Sequence, residues 1–393
     1  MKSICLIFQI HLPYRFKRFR FFDIGAGQSY YDDYGNETAV RKVATQCFLP
    51  ANALFLKHLH RMNGKLKIAF SVSGITLEQL GFYAPEVVNS FRELAATGLV
   101  EFLGGTYSHS LASLQSPEAF NEEAGHQQQA VRELTGSEPE VFLNTEMIYS
   151  DEIGSRIAGM GFKGVLAEGA RHILGWKSPD FLYCNTINPR LKVLMRHQKL
   201  SDDLVSHFTD PHWQGYPLTS DKYLSWIKAT DQRDETVNIG LDYETFGIYH
   251  TENSGIFSFL DHFLFLASQS PEIGFRTPSE VISALQPVSL VNVPNPVSWI
   301  EGEHDTTLWT GNELQNEALE KLYRLLPAVQ QVKDPGLLRD WHALQGSDHF
   351  VFMSTAPGVR ALHNRKNPWN SPFDAFINYM NILNDFGLRV NAS

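Results

Sequence analysis

The chain has 393 residues, 43% of them hydrophobic and 19% charged, the balance of an ordinary globular protein with ample core. A net charge of −10 with no long basic run argues against nucleic acid or an anionic membrane as partner. The three cysteines, Cys5, Cys47 and Cys184, lie far apart with no C-x-x-C pair, so neither a disulfide framework nor a zinc cluster is expected, and a cytoplasmic chain is.

Taken in order, short apolar runs rich in β-formers alternate with helix-like segments. The N-terminal MKSICLIFQI has a short apolar stretch and no small-x-small site after it, so it reads as a strand, ICLIFQI (4–10), rather than a leader. The RFKRFR run (15–20) reads as a solvated loop face, and GAGQSYY (25–31) as a plain loop lacking the third glycine of a dinucleotide fingerprint. Further strands are KIAFSVS (67–73), LVEFLGGTY (99–107), EVFLNT (140–145), KGVLAEG (163–169), LKVLMRH (191–197) and VNIGLDYET (237–245). Several are nearly continuous apolar runs, as in a parallel sheet covered on both faces. Helices are expected over 51–64, 85–98, 117–136 and 150–161, several ending in glycine. Seven strands alternating with helices predict an α/β fold: a seven-stranded parallel (β/α)7 barrel, one unit short of the usual eight, over residues 1–290. After VNVPNPVSW (291–299) the pattern turns helical, so residues 291–393 are expected to pack on the barrel. NELQNEALEKLYRLL (312–326) has Asn312 as N-cap and Leu314, Ala318, Leu322 and Leu325 on one face. SPFDAFINYMNILNDFG has Ser371 as cap, Pro372 at the first position and Gly387 as stop, with Phe373, Phe376, Ile377, Met380 and Leu383 as its apolar face.

In such barrels catalytic side chains come from the C-terminal ends of strands. That rule singles out His11, His109, Glu146, Glu168, the pair Asp202 and Asp203, and Asp242 with Glu244. A set of ionisable groups ending apolar strands is costly to bury and hard to explain by folding alone. A lone histidine is often only a hydrogen-bonded structural residue, and one of Asp202 and Asp203 is expected merely to cap the following helix. Glu146 and Asp242 interrupt apolar strands and resist that explanation. Two carboxylates from different strands suit glycosidic cleavage, one attacking or stabilising the anomeric carbon and one donating a proton. Asp242 and Glu244, two apart, share a face, and their repulsion is expected to raise the pKa of one.

The segments HLPYR, GLVEFLGGTYSHSL, VFLNTEMIYSDEI, LDYETFG and SWIEGEHDTTLWTGN occur in the order of the five signature regions of glycoside hydrolase family 57, and the chain resembles its short α-amylase-type members over nearly its whole length. LAEGARHILGWKSP, KLSDDL, YPLTSDKY and LQGSDHF also resemble that group. The resemblance implies a retaining hydrolase of α-1,4-glucans, starch or glycogen, with Glu146 as nucleophile and Asp242 as general acid/base. By that resemblance His11, His109 and Trp309 would line the sugar site; Glu168, Asp203 and Glu244, singled out by the strand-end rule, are expected to bind substrate beside them, with no metal and no cofactor. Leu12 stands where the family usually has glutamine, and Gly105 where relatives commonly carry glutamate.

The same residues would serve a 4-α-glucanotransferase, and a catalytically weak glucan-binding homologue is a further alternative. A metal-dependent deacetylase or mannosidase needs a converging His/Asp set, and here the first strand ends in His-Leu-Pro with no H-x-x-x-H pair.

Overall fold

A computed structural model describes residues 2–230, 235–300, 302–356 and 367–392. It shows a mixed α/β fold around a mostly parallel sheet. The strands are β1 (Lys2–Ile10), β2 (Ile68–Val72), β3 (Val100–Phe102), β4 (Val141–Phe142), β5 (Gly164–Glu168), β6 (Leu182–Asn185), β7 (Lys192–Arg196), β8 (Thr236–Asp242), β9 (Ile273–Phe275) and β10 (Ser289–Val291). All seven expected strands are present. β1 pairs in parallel with β2 and β8, β2 with β3, β4 with β5, β5 with β7, and β7 with β8 through Arg196 and Asn238. A parallel bridge from Gly104 to Phe142 joins the end of β3 to β4. Three strands were not anticipated. β9 adds to β1, β6 runs antiparallel to β7, and β10 pairs with β6, across the boundary expected near residue 290.

Side chains alternate along a strand, and here the alternation sorts the core. In β1, Ile4, Leu6, Phe8 and Ile10 pack outward with Val237, Ile239 and Leu241 of β8 and with the helices Leu49–Arg61 and Ile256–Gln269. On the other flank Phe142, Val165, Val193 and Met195 pack with Pro117–Thr135 and with the later helices Glu313–Arg324, Pro335–Leu344 and Pro372–Ala392. The alternate residues Cys5, Ile7, Ala69, Val141, Leu143, Leu166 and Leu194 form a smaller inner cluster with Met147 and Trp299.

Local chemistry sets the helix ends. Ser116 accepts from the Ala119 amide ahead of Pro117, and Gly136, at φ 75°, ends that helix. Asn312 and Gln315 form a reciprocal capping box. The C-terminal helix departs from expectation, because it continues through Gly387 to Ala392. Gly387 is buried, and a Cβ there would already touch Leu325 Cδ2 at 3.4 Å, so the glycine serves close helix packing. The buried face of that helix is shifted from the expected one: Phe373 and Ile377 are exposed, Phe376 and Met380 are half-buried, and Tyr379, Ile382 and Phe386 join the expected Leu383 inside. In the RFKRFR run, Phe16 and Phe19 are buried and the Phe19 amide donates to Asn378 Oδ1, so the loop is anchored rather than wholly solvated. Among the described residues no helix is long and apolar enough to cross a membrane.

Candidate active site

Glu146 follows β4 on a single turn, Thr145–Met147, in which Glu146 and Met147 have φ of 51° and 52°. Both are in the left-handed region, which costs a non-glycine residue about 1–3 kcal/mol. Five described non-glycine residues have positive φ; three of them, His109, Glu146 and Met147, meet at this point, and a fourth, His304, holds the Ser298 amide beside Trp299. Concentration of strain at one place is the pattern of a functional centre.

Both oxygens of the Glu146 carboxylate are met by donors. His109 Nε2 donates to Oε1 at 3.0 Å and the Trp299 indole Nε1 to Oε2 at 2.6 Å. His109 stacks on His11 with ring centroids 4.0 Å apart. His11 Nε2 donates to Asp348 Oδ2 at 2.9 Å, which leaves Nδ1 to accept from the Ser73 hydroxyl at 2.9 Å. The backbone carbonyl of His109 accepts from the Ser347 amide. The helical region thus reaches the same centre as the strand ends.

Asp242 ends β8 opposite Gln9 of β1. Val237, Ile239 and Leu241 point outward, so Asn238, Gly240 and Asp242 face inward. A Cβ at Gly240 would meet Met147 Cε at 2.7 Å and Arg196 Cδ at 3.3 Å, which puts this face beside the Glu146 turn. The Tyr249 hydroxyl lies 3.4 Å from Asp242 Oδ2 and 3.4 Å from Glu244 Oε2. Asp242 and Glu244 therefore come together as the sequence suggested.

Three expected site residues are placed otherwise. Glu168 ends β5 fully buried and binds Arg196 Nη1 at 3.0 Å; without solvent access it supports the site from beneath rather than meeting a sugar. Burial pushes its carboxyl up to about 7 against the pull of Arg196. Asp203 is buried and bound to Lys199 Nζ at 2.7 Å, one turn earlier on the helix Gln198–Ser206. Its neighbour Asp202 makes the inward contact, to Arg196 Nη2 at 2.7 Å. Neither caps the helix, whose N-cap is His197. Trp309 has no exposed surface and packs with Leu319 and Leu322 in the helical core, so Trp299, ten residues earlier in the same segment, is the tryptophan at Glu146.

Sequence reasoning passed over Trp299, Asp348, Tyr249 and Arg196. The last had a readable signal, since a cation closing the apolar run LKVLMR poses the same question as Glu146.

Residues 5–294 match the family described as "Glycosyl hydrolase family 57". The chain belongs to that family. A Methanocaldococcus jannaschii member named "Putative alpha-amylase" is 33% identical over 396 residues, covering 96% of this chain and 83% of the relative. Among solved structures, a Thermococcus litoralis 4-alpha-glucanotransferase superposes with TM-score 0.70 at 16% identity, covering 95% of this chain; this chain spans 60% of that enzyme. A family 57 branching enzyme from Thermococcus kodakaraensis gives 0.69 at 13% identity, covering 93% of this chain and 88% of its own. The alpha-amylase from Thermotoga maritima gives 0.65 at 14% identity, with 93% and 90% covered. At such identities these likenesses speak for the fold. The match to the family is what makes this chain a glycoside hydrolase.

Proposed function

We propose that the chain is a retaining glycoside hydrolase of α-1,4-glucans, of the α-amylase type, acting by double displacement. The observation that carries this reading is Glu146: a carboxylate held on a strained turn, each oxygen given one N–H donor, on the inward face that Asp242 also occupies from another strand. The strand pairings support a (β/α)7 barrel in which β1, β2, β3, β4, β5, β7 and β8 form the ring, and the helical region from about residue 291 completes the mouth.

In the first step a Glu146 oxygen forms a bond to the anomeric carbon as the glycosidic C–O bond breaks, and Asp242 gives its proton to the leaving oxygen. The two N–H donors orient Glu146 before attack and stabilise it as a leaving group afterwards. In the second step Asp242 takes a proton from water, which attacks the same carbon and frees Glu146. With a sugar hydroxyl in place of water, the same two residues make the chain a 4-α-glucanotransferase. Three unpaired cysteines support a cytoplasmic location.

A slow fluoro-glycoside is expected to label Glu146, identified by mapping the modified peptide. Replacement of Glu146 by Gln should abolish turnover with unfolding unchanged, and near-full activity in that variant would refute the mechanism. Reducing-end release against disproportionation of maltotriose separates hydrolase from transferase.

A further inference from the structure

Arg196, at the end of β7, is an almost fully buried cation. Its guanidinium makes three contacts to three different elements: Nη1 to Glu168 Oε2 of β5 at 3.0 Å, Nη2 to Asp202 Oδ1 of the following helix at 2.7 Å, and Nε to the Gly240 carbonyl of β8 at 2.9 Å. Such a fork locks the planar group in one orientation. Its Cζ lies over the Trp299 ring, 5.4 Å from the ring centroid, within cation–π range. Trp299 in turn donates its indole N–H to Glu146, and its backbone amide donates to the Glu146 carbonyl at 3.3 Å.

We propose that Arg196 is a positioning residue for the nucleophile, acting through Trp299. The buried guanidinium is the platform that sets the tilt of the indole, and the tilt aims N–H at Glu146 Oε2. A cation over the ring also draws electron density from it and sharpens the N–H as a donor. Arg196 has too little exposed surface to meet a sugar itself. Glu168 and Asp202 hold the guanidinium rather than substrate. This inference rests on the role proposed for Glu146 and adds the device that orients it.

The test is a double-mutant cycle with Trp299→Phe, Arg196→Lys and the two combined, on an aryl maltooligoside. Arg196→Lys keeps the charge but loses the planar fork, and thermal unfolding checks that the fold is retained. Trp299→Phe, which removes one N–H from the reacting carboxylate, should lower kcat about 10²-fold with KM little changed. Arg196→Lys should lower kcat by a smaller factor, and the double variant should be no slower than Trp299→Phe within about twofold. Factors that multiply in the double variant, as a merely structural role predicts, would overturn the proposal, as would wild-type kcat in Trp299→Phe. A crystal structure of Arg196→Lys gives a readout independent of turnover. The indole should have left hydrogen-bond range of Glu146, and an unmoved Trp299 would refute the platform. If the wild-type chain turns over no glucan, the functional reading fails and the crystal structure of the variant alone decides the inference.

Discussion

Glu146 and Glu168 both end apolar strand runs, and the protein treats them oppositely. Glu146 is given two N–H donors at a partly open point, whereas Glu168 is sealed beneath Arg196 with Oε1 left without a hydrogen-bond partner among the described residues. Burial therefore dominates at Glu168 and raises its pKa from 4.5 to about 7. Between those values the folded chain keeps a proton that the unfolded chain releases. The contribution of this carboxyl to stability is then full below the unfolded pKa, falls as pH rises through the window, and is lost above about 7. Wild type should lose Tm relative to Glu168→Gln as pH is raised from about 5 to about 8. Parallel melting curves across that range would show that Glu168 titrates normally.

At the scale of elements, the turn that carries Asp242 and Glu244 is set by its contact with a wide π-type turn, Ala44–Phe48. Cys47 Sγ donates to the Tyr243 carbonyl at 3.2 Å, and Gly247 has φ 104° with its would-be Cβ only 1.8 Å from the Gln46 carbonyl oxygen. Gly247→Ala combines backbone strain with a collision against main chain, and should cost at least about 3 kcal/mol in denaturant unfolding. An alanine variant as stable as wild type would mean that the Ala44–Phe48 turn yields freely. Elements with local signals were legible beforehand: the helices after Ser116 and Asn312 start at their caps, and all seven longer apolar runs became strands. Strands β6, β9 and β10, of three or four residues each, are no shorter than β3 or β4, but they lie outside the long apolar runs and form by pairing with β7, β1 and β6. Gly387 misled for a similar reason, since only the approach of Leu325 tells an interhelical glycine from a terminating one.

Over the whole molecule, the centre is assembled from sequence separations that no local pattern spans. His11 and Asp348, 337 residues apart, share a hydrogen bond; Trp299 reaches Glu146 across 153 residues. The strand ends hold only part of the site, and the helical region supplies Asp348, Trp299 and the Ser347 amide that holds the His109 carbonyl. Asp348→Asn removes the charge that orients His11 and, through the stacked rings, His109. It should lower kcat by roughly tenfold or more, well short of the ~10⁴-fold loss seen where a carboxylate touches a catalytic histidine directly, because the effect reaches Glu146 only through two stacked rings, with little change in Tm. Wild-type kcat in that variant would remove Asp348 from the site.

The sequence by itself determined the alternation of strands and helices, the two acids Glu146 and Asp242, and the five ordered segments that lead to family 57. Each is written in neighbouring residues, as apolar runs, caps and carboxylates where a strand should remain apolar. Tertiary structure alone decided which acid of the pair Asp202 and Asp203 turns inward, which tryptophan meets Glu146, and that Glu168 faces a buried arginine instead of solvent. Those outcomes depend on which face of one element meets another. That is a matter of packing between distant segments, and adjacent residues carry no record of it.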